Sequence, residues 1–419
     1  MSTVRKSLLG FIFSGSAMRR WNDKLRPVQL YEIDKQAHKM ITAFLLYRTS
    51  CRGLSGKEKT DLGARVIEGG LFDYLYRLVI TDIKPPVYYR IKENSEHFRE
   101  LTKWVLSDLE PLVRPSGEGF WQRLHEYHMR PFSGSAAPTA ADRILQAAHL
   151  YASQWEFNII KPFNGFDEEL EGIDLSFRDG LAALADVPGV ADLMQGSGSA
   201  LGRTANLCGQ LRFQIRWSQI PRIPETGVLG HMLCVASYSY FMSLAMGLCK
   251  TRCVNNFFAG LFHDLPELLT RDIISPVKSS IAHLPSLIHE YEEEELNRRI
   301  FTPLIEAGFE DIKERLAYYL GVGMESEFLE TARDPDGKAK VFRSFDELDR
   351  HCGADGSDAK DGHLIKAADK LAAYIEAYSS ASNGVTAAGL HESIARLRRE
   401  IASIRLGSFD LRALLADFD

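Results

Sequence analysis

The strongest constraint on this chain is that it contains part of itself twice. Gly69–Ile91 (GGLFDYLYRLVITDIKPPVYYRI) and Ala259–Ile281 (AGLFHDLPELLTRDIISPVKSSI) align without a gap at an offset of 190, and ten of the 23 pairs are identical. Unrelated stretches would share about one or two at ordinary residue frequencies. A repeat of this kind points to two units of similar fold. The chemistry differs between the copies. The second carries an adjacent His263-Asp264 pair with Glu267 one turn later, where the first has Asp73-Tyr74 and Arg77.

Two further blocks keep the same order. Arg20-Trp21 precedes His38, and Arg216-Trp217 precedes His231 by a loop three residues shorter. Leu364–Ala377 lies over Ile144–Phe157, matching Ala147/Ala367, Ala148/Ala368, Ala152/Ala372 and Glu156/Glu376, with His149 facing Asp369. On this alignment the first half reads His38, Asp73, Tyr74 and His149 where the second reads His231, His263, Asp264 and Asp369. The expected division is a degenerate unit over 1–187 and an intact one over 205–419. Pro188–Thr204, rich in Gly and Ser, reads as the linker.

A chain of 419 residues is long enough for two units, each with its own core. The periodicity reads as all-α. Val228–Met246 is apolar nearly all round, as a buried helix is. Phe257–Leu269 reads as a second core helix, Ser7–Phe13 as a first one, and Tyr291–Ala317 as a helix with one charged face. No Asn-Gly or Asp-Gly turn is read as joining alternating runs, so no hairpin is expected. Thr331–Gly362, rich in Asp, Gly and Lys, reads as a solvated excursion that the first half lacks. No run is read as a membrane span.

Charge and cysteine usage narrow the function. The net charge is −6 with no Lys/Arg-rich tract, so there is no electrostatic footprint for tight nucleic-acid binding. The six cysteines show no zinc-site spacing and read as reduced thiols of a cytoplasmic protein.

His231, His263, Asp264 and Asp369 offer imidazole and carboxylate ligands, which suit Mn, Co, Fe, Ni, Mg or Zn. An ion held this way keeps positions open for water and a phosphate oxygen. Glu267 stands where it could move a proton. Arg216 could hold a phosphate through its planar fork of donors.

Taken together, RW(x)13H (Arg216, Trp217, His231), HDxxExxTxDxxxPVK (His263, Asp264, Glu267, Thr270, Asp272, Pro276, Val277, Lys278) and KxxD (Lys366, Asp369) resemble the HD superfamily of metal-dependent phosphohydrolases. The likeness is greatest to the YfbR-like 5′-deoxynucleotidases. It implies one divalent ion on His231, His263, Asp264 and Asp369, and hydrolysis of nucleoside 5′-monophosphates with Glu267 as proton-transfer residue. It also implies Arg216 and Lys278 near the phosphate, and Asp272 and Trp217 near the sugar. The chain departs from the family at Leu229-Gly230, where Ser-Glu is usual, which leaves substrate identity open. Family members form homodimers, so the two halves are expected to pack as an intramolecular pseudo-dimer, with further homo-oligomers open. The alternative is a nucleotide-sensing or scaffold protein with little hydrolysis.

Overall fold

The computed structural model describes residues 3–133, 137–271, 281, 283–334 and 336–419. The chain is mostly helical, as its periodicity implies, with one small sheet. The first half runs α1 (Lys6–Ser14), α2 (Glu32–Ser50), α3 (Gly56–Ile80), α4 (Pro85–Glu93), α5 (Ser95–Val113), α6 (Glu118–Met129), α7 (Ala140–Ile160) and α8 (Leu170–Ala182). Two of these starts are written in the sequence. Ser55 with Glu58, and Thr139 with Asp142, form reciprocal capping boxes that satisfy otherwise orphaned N–H groups.

The expected linker is not loose. It folds into α9 (Val190–Met194) and, after a short 3-10 turn, α10 (Ala200–Gly209), with Val190, Leu193 and Leu201 buried. Its glycines serve turns: Gly189 has φ +92 and Gly196 φ +55, which Cβ-bearing residues rarely adopt.

The second half opens with α11 (Val228–Ala245), followed by α12 (Lys250–Phe262) and α13 (Glu267–Thr270). By length and composition alone α11 could cross a membrane, contrary to the sequence reading, but 89% of it is buried inside the fold. Tyr291–Ala317 is not one helix. Leu284–Leu296 runs into a π-turn at Asn297–Phe301, then Thr302–Glu306, a break at Gly308 (φ +77), and Glu310–Leu320.

The excursion at Thr331–Gly362 is also structured, which corrects the loop expectation. Glu330–Arg333 (β1) pairs antiparallel with Ala339–Phe342 (β2) and with Asp358–Lys360 (β3), in the order β2-β1-β3. The hairpin missed in the sequence turns at Asp336-Gly337, with Gly337 at φ +82 and Asp334 N–H donating to Lys338 O. Strands of three or four residues are too short to show alternation. The sheet is tied to α12 through Arg252, fully buried, whose guanidinium pairs with Asp361 and Asp349. The long helix Gly362–Ser382 follows, then Ala388–Ser403 and Leu411–Ala416.

The main core is shared by the halves rather than divided between them. Phe44 of α2 lies 4.9 Å from Phe258 and 4.8 Å from Phe262 of α12, ring centre to ring centre. Such aromatic pairs add about 0.5–1.5 kcal/mol each beyond their burial. α1 reaches across to α11, where Tyr238 donates to Leu9 O at 3.0 Å. α10 reaches the other way, with His38 of α2 donating to Ala205 O at 2.8 Å.

A candidate metal centre

The site is assembled where three helices converge. His231 lies one turn into α11, with its N–H on Gly227 O. Asp369 projects from the middle of Gly362–Ser382, which packs along α11. α12 brings the His-Asp pair. It approaches α11 closely because Gly260 has no side chain: a Cβ there would sit 3.1 Å from both Ala236 N and Ala236 Cα. The His231 and His263 rings are thereby 5.4 Å apart.

His263-Asp264 is not mid-helix, as the sequence reading had it. The helix ends at Phe262, and Pro266 cannot donate to the Phe262 carbonyl; Leu265 N–H takes that carbonyl at 2.8 Å. The pair therefore sits on a turn, and Glu267 starts the separate short helix α13, its N–H on Asp264 O at 3.1 Å.

One ligand atom each from His231, His263 and Asp369 lie within 4.8 Å of one another. His231 Nε2 is 3.1 Å from Asp369 Oδ1 and 3.8 Å from Asp264 Oδ2. His263 Nε2 is 3.2 Å from Asp264 Oδ2 and 3.9 Å from Asp369 Oδ1. The far side of each ring fixes its orientation. His263 Nδ1 donates to Gly260 O at 2.8 Å, and His231 Nδ1 is held by Glu376 Oε1 at 3.1 Å. With the proton on Nδ1, both Nε2 lone pairs face carboxylate oxygens. Acceptors so close require a shared positive charge, a proton or a cation. His263 Nε2 is buried and, among the described residues, makes no hydrogen bond of its own. The donor set thus fits a divalent ion, and the carboxylate behind His231 is the usual outer support of a metal-bound imidazole.

The electrostatics agree. Burial disfavours a charged His263, but Asp264, Asp369 and the Gly260 carbonyl outweigh it and raise the ring to about 9. Burial works against ionised Asp264 too, yet His263, Arg216 and His231 hold it far below the usual carboxylate range. Glu376 is depressed as well: burial opposes its charge, and Arg216, His231 and Arg222 overcome it.

Arg216 and Trp217 sit on a bridge pairing Ile215 with Gly227, where Trp217 adopts a left-handed φ of 61°. Arg216 Nη1 donates to Asp264 Oδ2 at 3.1 Å, so its guanidinium borders the cluster. Trp217 does not present its indole N–H to the cleft; Nε1 donates to Glu376 Oε2 at 2.8 Å. Asp272 and Lys278, expected near the sugar and phosphate, lie outside the described residues.

Sequence reasoning missed the role of Glu376, which ties His231, Arg216 and Trp217 together. Its signal was available: it stands seven residues after Asp369 on the same helix face and matches Glu156.

The first half has a cleft built on the same plan. A bridge pairs Arg19 with Tyr31, and Trp21 has φ 55°. Trp21 Nε1 donates to Glu156 Oε2 at 3.0 Å, and Arg20 Nε reaches the same oxygen at 2.7 Å. The hydrogen bonds entering α2 and α11 run in step: Arg20 N to Leu30 O and Arg216 N to Thr226 O, then Glu32 N to Met18 O and Val228 N to Gln214 O. Every pair is offset by 196, which sets Lys35, not His38, at the register of His231. His38 is instead buried between Ala205 O and Arg212, with burial and then Arg212 lowering its ring to about 3. Tyr74 also turns away, donating to Ile12 O at 2.6 Å in the core. The expected set of His38, Asp73, Tyr74 and His149 therefore does not converge.

Residues 208–399 match the family model of the HD domain, so the second half contains an HD domain, of a family whose members are typically metal-dependent hydrolases. No curated protein and no solved structure matches the chain.

Proposed function

We propose that the second half is a metal-dependent phosphohydrolase acting on nucleoside 5′-monophosphates. The observation that carries the hydrolase reading is the pair of imidazole Nε2 atoms facing Asp264 and Asp369, with Arg216 at their edge. The nucleotide specificity rests on the motif resemblance, RW(x)13H and HDxxExxTxDxxxPVK.

His231, His263, Asp264 and Asp369 would hold the ion, which would supply the charge that makes water a nucleophile at neutral pH and polarises a phosphoryl group. Glu376 and Gly260 O keep both imidazoles in the tautomer that ligation needs. Arg216, already within 3.1 Å of Asp264, is placed to clamp phosphate oxygens beside the ligands. Glu267, at the start of α13 and partly buried, is the group that moves the proton.

We further propose that the halves arose by duplication and pack as an intramolecular pseudo-dimer, the first half standing in for a second subunit. The registers in step and the exchanged α1 and α10 support this. The eroded chemistry of the first half favours, as a second reading, a protein that senses nucleotides more than it turns them over.

The test is phosphate release from a panel of nucleoside mono- and triphosphates. Metal-stripped protein is supplied with Mn, Co, Ni, Mg or Zn, beside an Asp264→Ala control. Release that needs metal and vanishes in the control is expected. Metal binding without any release would pass the lead to the sensing reading.

A further inference from the structure

The first-half cleft has exchanged a metal's ligands for fixed cations. Lys35 Nζ lies 2.7 Å from His149 Nδ1, which occupies the register of Asp369. One turn on, Lys39 Nζ donates to Asp73 Oδ2 at 2.5 Å, and Asp73 occupies the register of His263. Arg77 replaces Glu267, so the position of the proton-moving residue is now positive. Arg20 keeps the place of Arg216.

These cations are only partly neutralised. Arg20 spends Nη1 on Glu32 at 2.6 Å and Nε on Glu156 at 2.7 Å. Arg77 spends Nε on Glu32 and Nη2 on Asp82, both at 3.3 Å. Among the described residues, Arg20 Nη2 and Arg77 Nη1 make no hydrogen bond, which leaves them for a ligand. Glu156 is shared with a further arginine, Arg212, at 2.6 Å. The linked groups Arg20, Lys39, Arg77 and Arg212 equal Glu32, Asp73, Asp82 and Glu156 in number, and Lys35 adds a further amine. The cleft is open, since His149 is exposed and the Asp73 side chain is 37% exposed. Lys35 itself is 1% exposed at its floor.

We propose that this cleft binds a phosphate-class dianion without a metal and without hydrolysing it. Burial, aided by Arg20 and Lys39, holds the Lys35 amine well below its ordinary range, and Lys35 is the largest reason that His149 is held low. Cations crowded in this way are stabilised by an arriving dianion. The neighbouring carboxylates are already engaged by Arg20, Arg77 and Lys39, and the set of acceptors that would hold a metal to activate water is absent from this cleft. The site does not depend on the second half being a hydrolase.

Calorimetric titration of the full chain carrying His231→Ala, stripped of metal, removes metal-dependent binding in the second half, and variants of the first-half cleft then decide where any remaining site lies. Inorganic phosphate and a nucleoside 5′-monophosphate are the two probes, with the unphosphorylated nucleoside as control. One saturable site per chain is expected for the phosphorylated probes and none for the nucleoside. Tighter binding of the nucleotide would make it the natural ligand; equal binding would point to free phosphate. Adding Lys35→Met should weaken binding at least about tenfold, and Arg77→Gln, at a partly exposed position, should weaken it several-fold even if the first variant folds poorly. No saturation by about 10 mM, or unchanged affinity in both variants, overturns the proposal.

Discussion

The two clefts share a scaffold and differ in what fills it. Each has an Arg-Trp bridge, a tryptophan at left-handed φ and a buried glutamate that receives the indole N–H. In the second half the centre is left as four acceptors facing one another; in the first, Lys35 and Lys39 supply positive charge from the chain. A buried carboxylate network needs a cation or protons to balance it. One half has built the cation in, and the other is proposed to recruit it.

The largest effect that would test this contrast is loss of the ion. Asp264→Ala removes a ligand and the partner of Arg216, and is expected to abolish metal-dependent hydrolysis and lower bound metal measured by elemental analysis. Asp73→Ala should leave metal content unchanged. Equal metal loss from both would break the comparison. Next comes Glu267→Gln, expected to lower kcat about 10²–10⁴-fold with metal retained. Activity within twofold of the parent would remove Glu267 from the chemistry.

A third difference lies where α2 meets α11. Asp34 of α2 stands at the register of Gly230, and a Cβ on Gly230 would come within 2.9 Å of Asp34 Oδ1. Burial pushes Asp34 up to about 7, against Arg212 and the Gly230 N–H, while Glu156 adds to the rise. Below about pH 4 the carboxyl is protonated folded or unfolded and costs nothing. Between 4 and 7 only the unfolded chain ionises, so the unfolded state binds fewer protons and stability falls as pH rises. Above 7 the loss is complete, at most about 4 kcal/mol. Asp34→Asn should therefore gain nothing in denaturant melts at pH 4 and most at pH 8. A gain of the same size at both would show that the charge is not the cause.

Much of the second site was legible because ligand types in a fixed order leave a mark on the sequence. His231, His263, Asp264 and Asp369 do come together. The first site was misread because identity of letter was preferred to register. His38 looked like His231 at the cost of an added three residues, whereas the backbone hydrogen bonds keep step with no insertion and bring Lys35 there. Pro266, which breaks the helix under Glu267, stands inside the apolar run that reads as a helix over Phe257–Leu269. The sheet after Thr331 was hidden by its short strands and by anchors far away in sequence, Arg252 to Asp361 above all.

The smallest expected effect separates the two buried glutamates. Glu376 holds His231 Nδ1, Trp217 Nε1 and Arg216, so in the proposed site it would act on the ion through the ring it orients. Glu376→Gln can keep the shape but weakens the pull on the imidazole, and metal affinity should fall about 10–100-fold. Glu156 receives Arg20, Trp21 and Arg212 in the same place, yet no imidazole ligand stands in front of it. Glu156→Gln should lower thermal stability, because it leaves the charges of Arg20 and Arg212 without their shared carboxylate, and leave metal affinity untouched. Competition with a chelating dye reads both. If Glu156→Gln weakened the ion as much as Glu376→Gln did, the clefts would be coupled through the α2–α11 contact, and the first half would be part of the metal site's support rather than a separate cation-filled copy.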